Sequence, residues 1–254
     1  MPENQKNTEE FTDFGFERVP LEGKTLRVGA VFDSVADRYN LMNDLMSFGM
    51  HRIWKRFALS KTALRPGGFA LDVAAGSGDL SKGMARQVGP NGLVVVTDIN
   101  SNMLHKGRDF LTDAGFSGNI SYAQADAEKL PFGSRQFDCV TIGFGLRNVT
   151  NKPAALADMY RVLKPGGRLL VLEFSKPKLS LLNSIYDIYS FQVLPRLGRL
   201  ITNDSDSYRY LAESIRMHPD QDALKKLMIN EGFERCEYHN LSAGIVALHL
   251  GFKL

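Results

Sequence analysis

Leu71-Asp72-Val73-Ala74-Ala75-Gly76-Ser77-Gly78-Asp79-Leu80 is the stretch on which the fold turns. A short apolar run ends in two glycines one residue apart, and a helical pattern follows. Such a turn, at the carboxyl end of a first strand, lets backbone approach a ligand closely because glycine has no Cβ to hold it off. Taken alone it reads first as an ordinary strand-to-helix turn, since short glycine patterns arise by accident. Its neighbours separate the two readings.

Downstream, Phe69 to Ala74, Leu93 to Thr97, Ile120 to Ala123, Phe137 to Ile142 and Arg168 to Glu173 are short runs of β-formers separated by stretches at helical spacing. Strand and helix taking turns at this interval call for a parallel sheet covered on both faces, because each crossover needs a helix and the apolar strands need burial on two sides. The expectation is an α/β, Rossmann-like sheet, mostly parallel and seven-stranded. Pro219 just inside a helix start, with Asp220 and Asp222 in its first turn, opens a last helix that Gly232 closes. Phe233 to Leu241 and Ile245 to Phe252 then form an antiparallel edge hairpin. Leu163-Lys164-Pro165-Gly166-Gly167 alone is a helix-ending turn.

Upstream, residues 1–23 are expected to be a flexible tail, and residues 24–254 a single domain. Apolar positions from Ala30 to Leu59, broken near Ser47-Phe48-Gly49, predict two helices capping it over about residues 30–60. Residues 177–216 are apolar, aromatic and too long for a simple connection, so they predict a helical insertion.

With 254 residues and 44% hydrophobic content, one α/β domain is the default. The net charge of +3 includes no basic run that would track a phosphate backbone, so nucleic acid is not favoured. Cys139 and Cys236 lie far apart and outside any metal-ligand spacing, so no metal is expected. The first 30 residues lack the basic start and apolar centre of a signal peptide, and no apolar run reaches roughly 20 residues. A cytoplasmic protein is the expectation.

Asp98 ends the second strand, where a carboxylate can accept both ribose hydroxyls of a nucleoside. Its bland alternative is to cap the helix beginning near Ser101. Asp126-Ala127 follows the third strand, where the carboxylate can accept an adenine amino group and the backbone N–H can face the ring. A dinucleotide fingerprint needs a third glycine where Ser81 stands, which disfavours NAD. S-adenosylmethionine has no phosphate and carries a cationic sulfonium, which suits a loop lined by Asp72, Asp79 and Asp98.

The order of Asp72-x-Ala74-x-Gly76-x-Gly78, Asp98, Asp126-Ala127-Glu128-x-Leu130-Pro131-Phe132 and Leu163-Lys164-Pro165-Gly166-Gly167 resembles that of class I methyltransferases. Two longer stretches, Val31 to Lys55 and Phe144-Gly145-Leu146-Arg147-Asn148-Val149-Thr150 continuing to Leu172 to Pro177, resemble the ubiquinone/menaquinone biosynthesis C-methyltransferase family. The resemblance spans roughly Val28 to Leu254, including Ser207 to Gln221.

That resemblance implies S-adenosylmethionine held by Asp72, Gly76, Ser77, Gly78, Asp98, Asp126, Ala127 and Gly143, and methyl transfer to a ring carbon of a prenylated benzoquinol or naphthoquinol. Gly143 stands where many members have serine, and Asp126 where many have asparagine. Arg147, after the fourth strand, is the first catalytic candidate, since a guanidinium there can stabilise a phenolate; its bland reading is a surface arginine paired with an acid. Asn148, Tyr39 and His51 are candidates for the acceptor. Arginine stays protonated near neutrality, so water, Tyr39, His51 or His218 remain open as the proton acceptor. For His51 a place on an amphipathic helix, and for His218 a helix-start residue satisfying local backbone, are the bland alternatives. A lipid-soluble tail also implies transient contact with the inner membrane face through Arg196, Arg199 and nearby apolar groups. A homodimer is open, as are a methyltransferase of another small molecule and a non-enzymatic cofactor-binding subunit.

Overall fold

A computed structural model describes residues 11–35, 43–44, 47–177 and 205–254. The chain opens with an antiparallel hairpin, β1 (Phe11–Phe14) and β2 (Glu17–Pro20), followed by helices α1 (Leu21–Val35) and α2 (His51–Lys61). Strand and helix then take turns as β3 (Phe69–Val73), α3 (Asp79–Val88), β4 (Leu93–Asp98), α4 (Ser101–Asp113) and β5 (Ile120–Gln124). Next come β6 (Phe137–Gly143), α5 (Lys152–Val162) and β7 (Leu163–Phe174). Helices α6 (Ser205–Met217) and α7 (Gln221–Asn230) lead to β8 (Glu234–Leu241) and β9 (Val246–Phe252).

The seven strands β3 to β9 form one sheet in the order β5-β4-β3-β6-β7-β9-β8. Strands β3 to β7 pair in parallel, and β9 runs antiparallel to both β7 and β8. The chain steps outward from β3 to β5 and returns on the other side of β3 as β6. That reversal opens a crevice beyond the carboxyl ends of β3 and β6, where an open α/β sheet binds its ligands.

Alternate strand residues feed two cores, as the two-residue period of a strand requires. On one face Ala70, Val94, Val96, Leu170 and Leu172 meet Met84 and Val88 of α3, Trp54 of α2 and Leu211 of α6. On the other, Leu71, Val140, Ile142 and Val171 meet Leu156 and Met159 of α5 and Met228 of α7. The sheet is thus buried on both sides, which is why its strands read as near-continuous apolar runs.

Several expectations change in detail. The tail through Gly23 is corrected from Phe11 onward. The hairpin docks on α6, with Phe14 stacked on Tyr210 at 4.3 Å and the Phe16 N–H donating to Glu213 Oε2 at 3.1 Å. Asp220, not Pro219, is the N-cap of α7, its side chain accepting the Ala223 N–H. Proline therefore sits one residue before the cap. Leu163 to Gly167 ends α5 but also forms the irregular start of β7, with the Gly166 N–H donating to the Lys253 carbonyl at 2.6 Å. The predicted insertion falls largely outside the described residues, as do Tyr39, Arg196 and Arg199.

Candidate functional site

The crevice between β3 and β6 deepens into a cavity, the kind of concave place at a sheet's switch point where small ligands bind. Its lining includes the two strand ends, Ala74 and Gly76 after β3 and Phe144 and Gly145 after β6. Ala74 and Phe144 both take left-handed φ values, 50° and 57°. L-residues adopt that region at a cost of roughly 1–3 kcal/mol each, and such strain gathers at ligand sites. The two bends touch. A Cβ at Gly145 would lie 2.7 Å from that of Ala74, so only glycine lets the strand ends close on each other.

Asp98 forms one end wall with Ile99 and Asn100. It is 8% exposed, its Oδ2 accepting the Gly76 N–H at 3.0 Å and its Oδ1 the Asn100 N–H at 2.9 Å. Burial pushes its carboxyl above the usual carboxylate range, against the backbone N–H groups that favour the ion. The helix-cap alternative for Asp98 is removed, because Asn100 caps α4 through the Met103 N–H at 3.0 Å. Asp98 therefore keeps lone pairs for a ligand. Asp126 and Ala127 also line the cavity, with Asp126 Oδ1 accepting the Glu128 N–H at 2.9 Å.

The roof belongs to α1. Thr25, Val28, Gly29 and Phe32 recur at helical spacing and face the cavity. Asn100 and Asn102 amides clamp Asp33 Oδ1 at 2.8 and 2.9 Å, and Lys24 Nζ reaches the Val149 carbonyl at 3.4 Å.

The acid-lined loop expected from sequence is corrected by this geometry. Asp72 is 1% exposed and lies outside the lining, where Ser81 Oγ donates to it at 2.5 Å and Thr141 Oγ1 at 2.7 Å. Burial raises its pKa to about 6. Asp79 is paired with Lys55 at 2.7 Å. Negative charge facing the cavity therefore comes from Asp98, Asp126 and Glu128. Ser77, Gly78 and Gly143 stand outside the wall. Gly78 is instead the left-handed N-cap of α3, at φ 79°, and a Cβ at Gly143 would meet Leu80 Cδ1 at 2.7 Å. A serine at 143 would need Leu80 to move.

Beyond β6, Leu146–Asn148 forms a single 3₁₀ turn at the rim. Asn148, Val149 and Thr150 line the cavity. Arg147 does not. Its Nη1 donates to Glu173 Oε1 at 3.0 Å and to the Phe144 carbonyl, and its own backbone N–H reaches Glu173 Oε2 at 3.3 Å. The predicted pairing with an acid is present, but both side chains are buried, at 4% and 1% exposure. His51 is also buried outside the wall, Nδ1 against Ser47 Oγ at 2.8 Å. His218 is not a helix-start residue satisfying backbone. It follows α6, and among the described residues neither ring nitrogen has a hydrogen-bond partner. Spacing alone flags neither the α1 roof nor Glu173 nor Tyr210, whose hydroxyl donates to Asn148 Oδ1 at 3.0 Å.

The lining suits a nucleoside: a buried carboxylate tied to the glycine turn by the Gly76 N–H, a second carboxylate beside apolar Ala127, and two glycines, Gly76 and Gly145, at the strand ends. Among the described residues no three His, Cys, Asp or Glu side chains are grouped to hold a metal ion, and no helix is long and apolar enough to cross a membrane.

The model of the ubiE/COQ5 methyltransferase family matches residues 21–253. The chain is 59% identical over 252 residues to the ubiquinone/menaquinone biosynthesis C-methyltransferase UbiE of Pseudomonas paraeruginosa, covering 99% of this chain and 98% of that relative. It is 62% identical over 245 residues to the protein of that name in Teredinibacter turnerae, covering 96% and 98%. Among solved structures it is similar to a SAM-dependent methyltransferase of Thermotoga maritima described as a possible histamine N-methyltransferase. The TM-score is 0.63 at 17% identity, over 89% of this chain and 99% of that one. A SAM-dependent methyltransferase of Aquifex aeolicus gives 0.59 at 14% identity, over 79% and 89%. At such identities the likeness concerns the fold.

Proposed function

Because the chain belongs to the ubiE/COQ5 methyltransferase family, we propose that it moves the methyl group of S-adenosylmethionine onto a ring carbon of a prenylated quinol in the making of ubiquinone and menaquinone. The observation that carries this reading is the joining, in one cavity, of a nucleoside end at Asp98 with a polar rim at Asn148. When bound, S-adenosylmethionine supplies a methyl group on a sulfonium whose sulfur leaves as a neutral thioether.

Asp98 accepts the ribose hydroxyls, Asp126 and Ala127 meet the adenine, and the strand end at Ala74 and Gly76 admits the methionine end. The acceptor ring lies toward Phe144 and Asn148. Loss of its phenol proton makes the neighbouring carbon electron-rich; that carbon takes the methyl and then releases its own proton to restore the aromatic ring. The chain's task is to align the ring and hold the negative oxygen. Asn148 can donate to that oxygen, and the Arg147 charge stands behind it. Glu173 fixes the guanidinium, so Arg147 acts electrostatically and the proton leaves to water.

The prenyl tail needs an apolar exit. Phe48, Met50 and Ile53 are exposed at the start of α2, interleaved with exposed Arg52 and followed by Arg56, a composition suited to peripheral contact with an anionic membrane surface. The test is turnover by purified full-length chain of S-adenosylmethionine with short-tailed benzoquinol and naphthoquinol precursors kept reduced, with mass spectrometry locating the new methyl. A methyl on oxygen, or none on either quinol, would end the proposal.

A further inference from the structure

The rim turn is held at two points. Glu173 grips Arg147, as described above. The second support comes from α6, 62 residues away in sequence, where the Tyr210 hydroxyl donates to Asn148 Oδ1 at 3.0 Å. Tyr210 is itself fixed, 5% exposed and stacked on Phe14 with ring planes 21° apart. Phe14 lies under the Arg27 guanidinium at 5.5 Å. A chain of contacts thus runs from the N-terminal hairpin through Tyr210 to a residue of the cavity wall.

A primary amide has an accepting end and a donating end. With Oδ1 taken by Tyr210, the other end, Nδ2, has no hydrogen bond among the described residues and is not a buried orphan. We propose that Tyr210 is a positioning residue that fixes the Asn148 amide with its N–H donors toward the cavity, so that the site selects an acceptor ring bearing a lone-pair oxygen, a phenolate or quinol hydroxyl, over one bearing only a donor such as an anilinium. The inference rests on the reading of Asn148 as part of the acceptor site. Burial pushes the Tyr210 phenol up to about 12, which keeps it protonated and able to donate throughout the working range.

The test is a double-mutant cycle on the full-length chain with Tyr210→Phe, Asn148→Ala and the pair, together with Asn148→Asp. Binding of a tailless hydroquinone is measured by calorimetry, alongside KM and kcat for a quinol, S-adenosylmethionine affinity and the melting midpoint. Tyr210→Phe is expected to weaken hydroquinone binding and raise KM about five- to tenfold, the scale of one hydrogen bond, with S-adenosylmethionine affinity unchanged. Added to Asn148→Ala it should cause no further loss. Asn148→Asp keeps a partner for Tyr210 but presents only an acceptor to the ring, so a fully substituted benzoquinone, whose oxygens accept but cannot donate, should bind it no better than Asn148→Ala. Equal losses from Tyr210→Phe in the wild-type and Asn148→Ala backgrounds would overturn the inference and mark Tyr210 as packing alone. So would wild-type affinity of Asn148→Asp for that acceptor-only benzoquinone. If wild-type chain binds S-adenosylmethionine but no hydroquinone, the acceptor reading falls first and this inference with it.

Discussion

Replacing Asp98 by asparagine isolates the cofactor end of the cavity. Each carboxylate oxygen already accepts one backbone N–H, from Gly76 at 3.0 Å and Asn100 at 2.9 Å. An amide keeps one acceptor and turns an N–H₂ toward the other backbone donor, leaving that donor unpaired at about 1–3 kcal/mol. The same change removes a buried charge whose desolvation already raises its pKa. The two effects oppose, so the stability of the ligand-free chain should shift by no more than about 1 kcal/mol. Binding has no such offset. Hydrogen bonds from ribose hydroxyls to a charged acceptor contribute about 1.5–3 kcal/mol each, and the amide retains one of the two. A loss of about 2 kcal/mol predicts roughly 30-fold weaker binding. Calorimetric titration with both S-adenosylmethionine and its demethylated product measures it. Equal losses for the two ligands are expected, since both carry the ribose but only one the sulfonium. A dissociation constant within threefold of wild type, at a normal melting midpoint, would refute Asp98 as the ribose acceptor.

Glu173→Gln should strand the buried Arg147 guanidinium and cost about 3–5 kcal/mol, lowering the melting midpoint by roughly 10 °C; scanning calorimetry giving a shift under 2 °C would show that the pair is not buried as described. Gly78→Ala meets both a left-handed backbone and Leu111 Cδ1 at 2.9 Å, whereas Gly166→Ala meets the backbone alone, at φ 81° with nothing near. Urea unfolding should therefore find Gly78→Ala the more destabilising, by about 1 kcal/mol or more. Burial depresses His249 from 6.5 to about 4, so its folded form excludes a proton that the unfolded chain accepts. Its contribution is complete above pH 6.5 and fades by about 3 kcal/mol as pH falls to 4. Asp72, raised from 3.8 to about 6, works the other way, gaining stability on protonation over pH 6 to 4. His249→Leu should thus make the acid-side loss between pH 6.5 and 4 shallower by about 3 kcal/mol, while buried His218 and His51, also held below the usual imidazole range, supply the remainder; an unchanged fall in urea midpoint over that range would contradict the assignment.

The parallel sheet was legible because its strands are buried on both faces and announce themselves as unbroken apolar runs. The glycine turn and Asp98 were legible because they sit at the carboxyl ends of those runs. The roof was harder. Thr25, Val28, Gly29 and Phe32 keep helical spacing, but Gly23 and Gly29 weaken the helix signal, so the spacing predicts the helix from Ala30 whereas it begins at Leu21. Gly29 gives its carbonyl to the Asn100 amide at 3.4 Å, a bond any residue could make, and a Cβ there would meet nothing within 4 Å. Arg147 was found and its partner was not. Glu173 reaches it only because β7 lies beside β6 with Leu172 opposite Gly143, a register no local pattern states. Asp72 misled for a related reason: successive strand residues face opposite ways, and its carboxylate points toward Ser81 and Thr141.

The order β7-β9-β8 has a consequence during synthesis. Val246–Phe252 is the last strand made, yet it fills an interior slot between two earlier ones. While the ribosome still holds that segment, β7 presents a bare apolar edge, open to pairing with a neighbouring nascent chain. A stop codon just before residue 246 should therefore yield inclusion bodies and heavy chaperone loading in place of a slightly shortened enzyme.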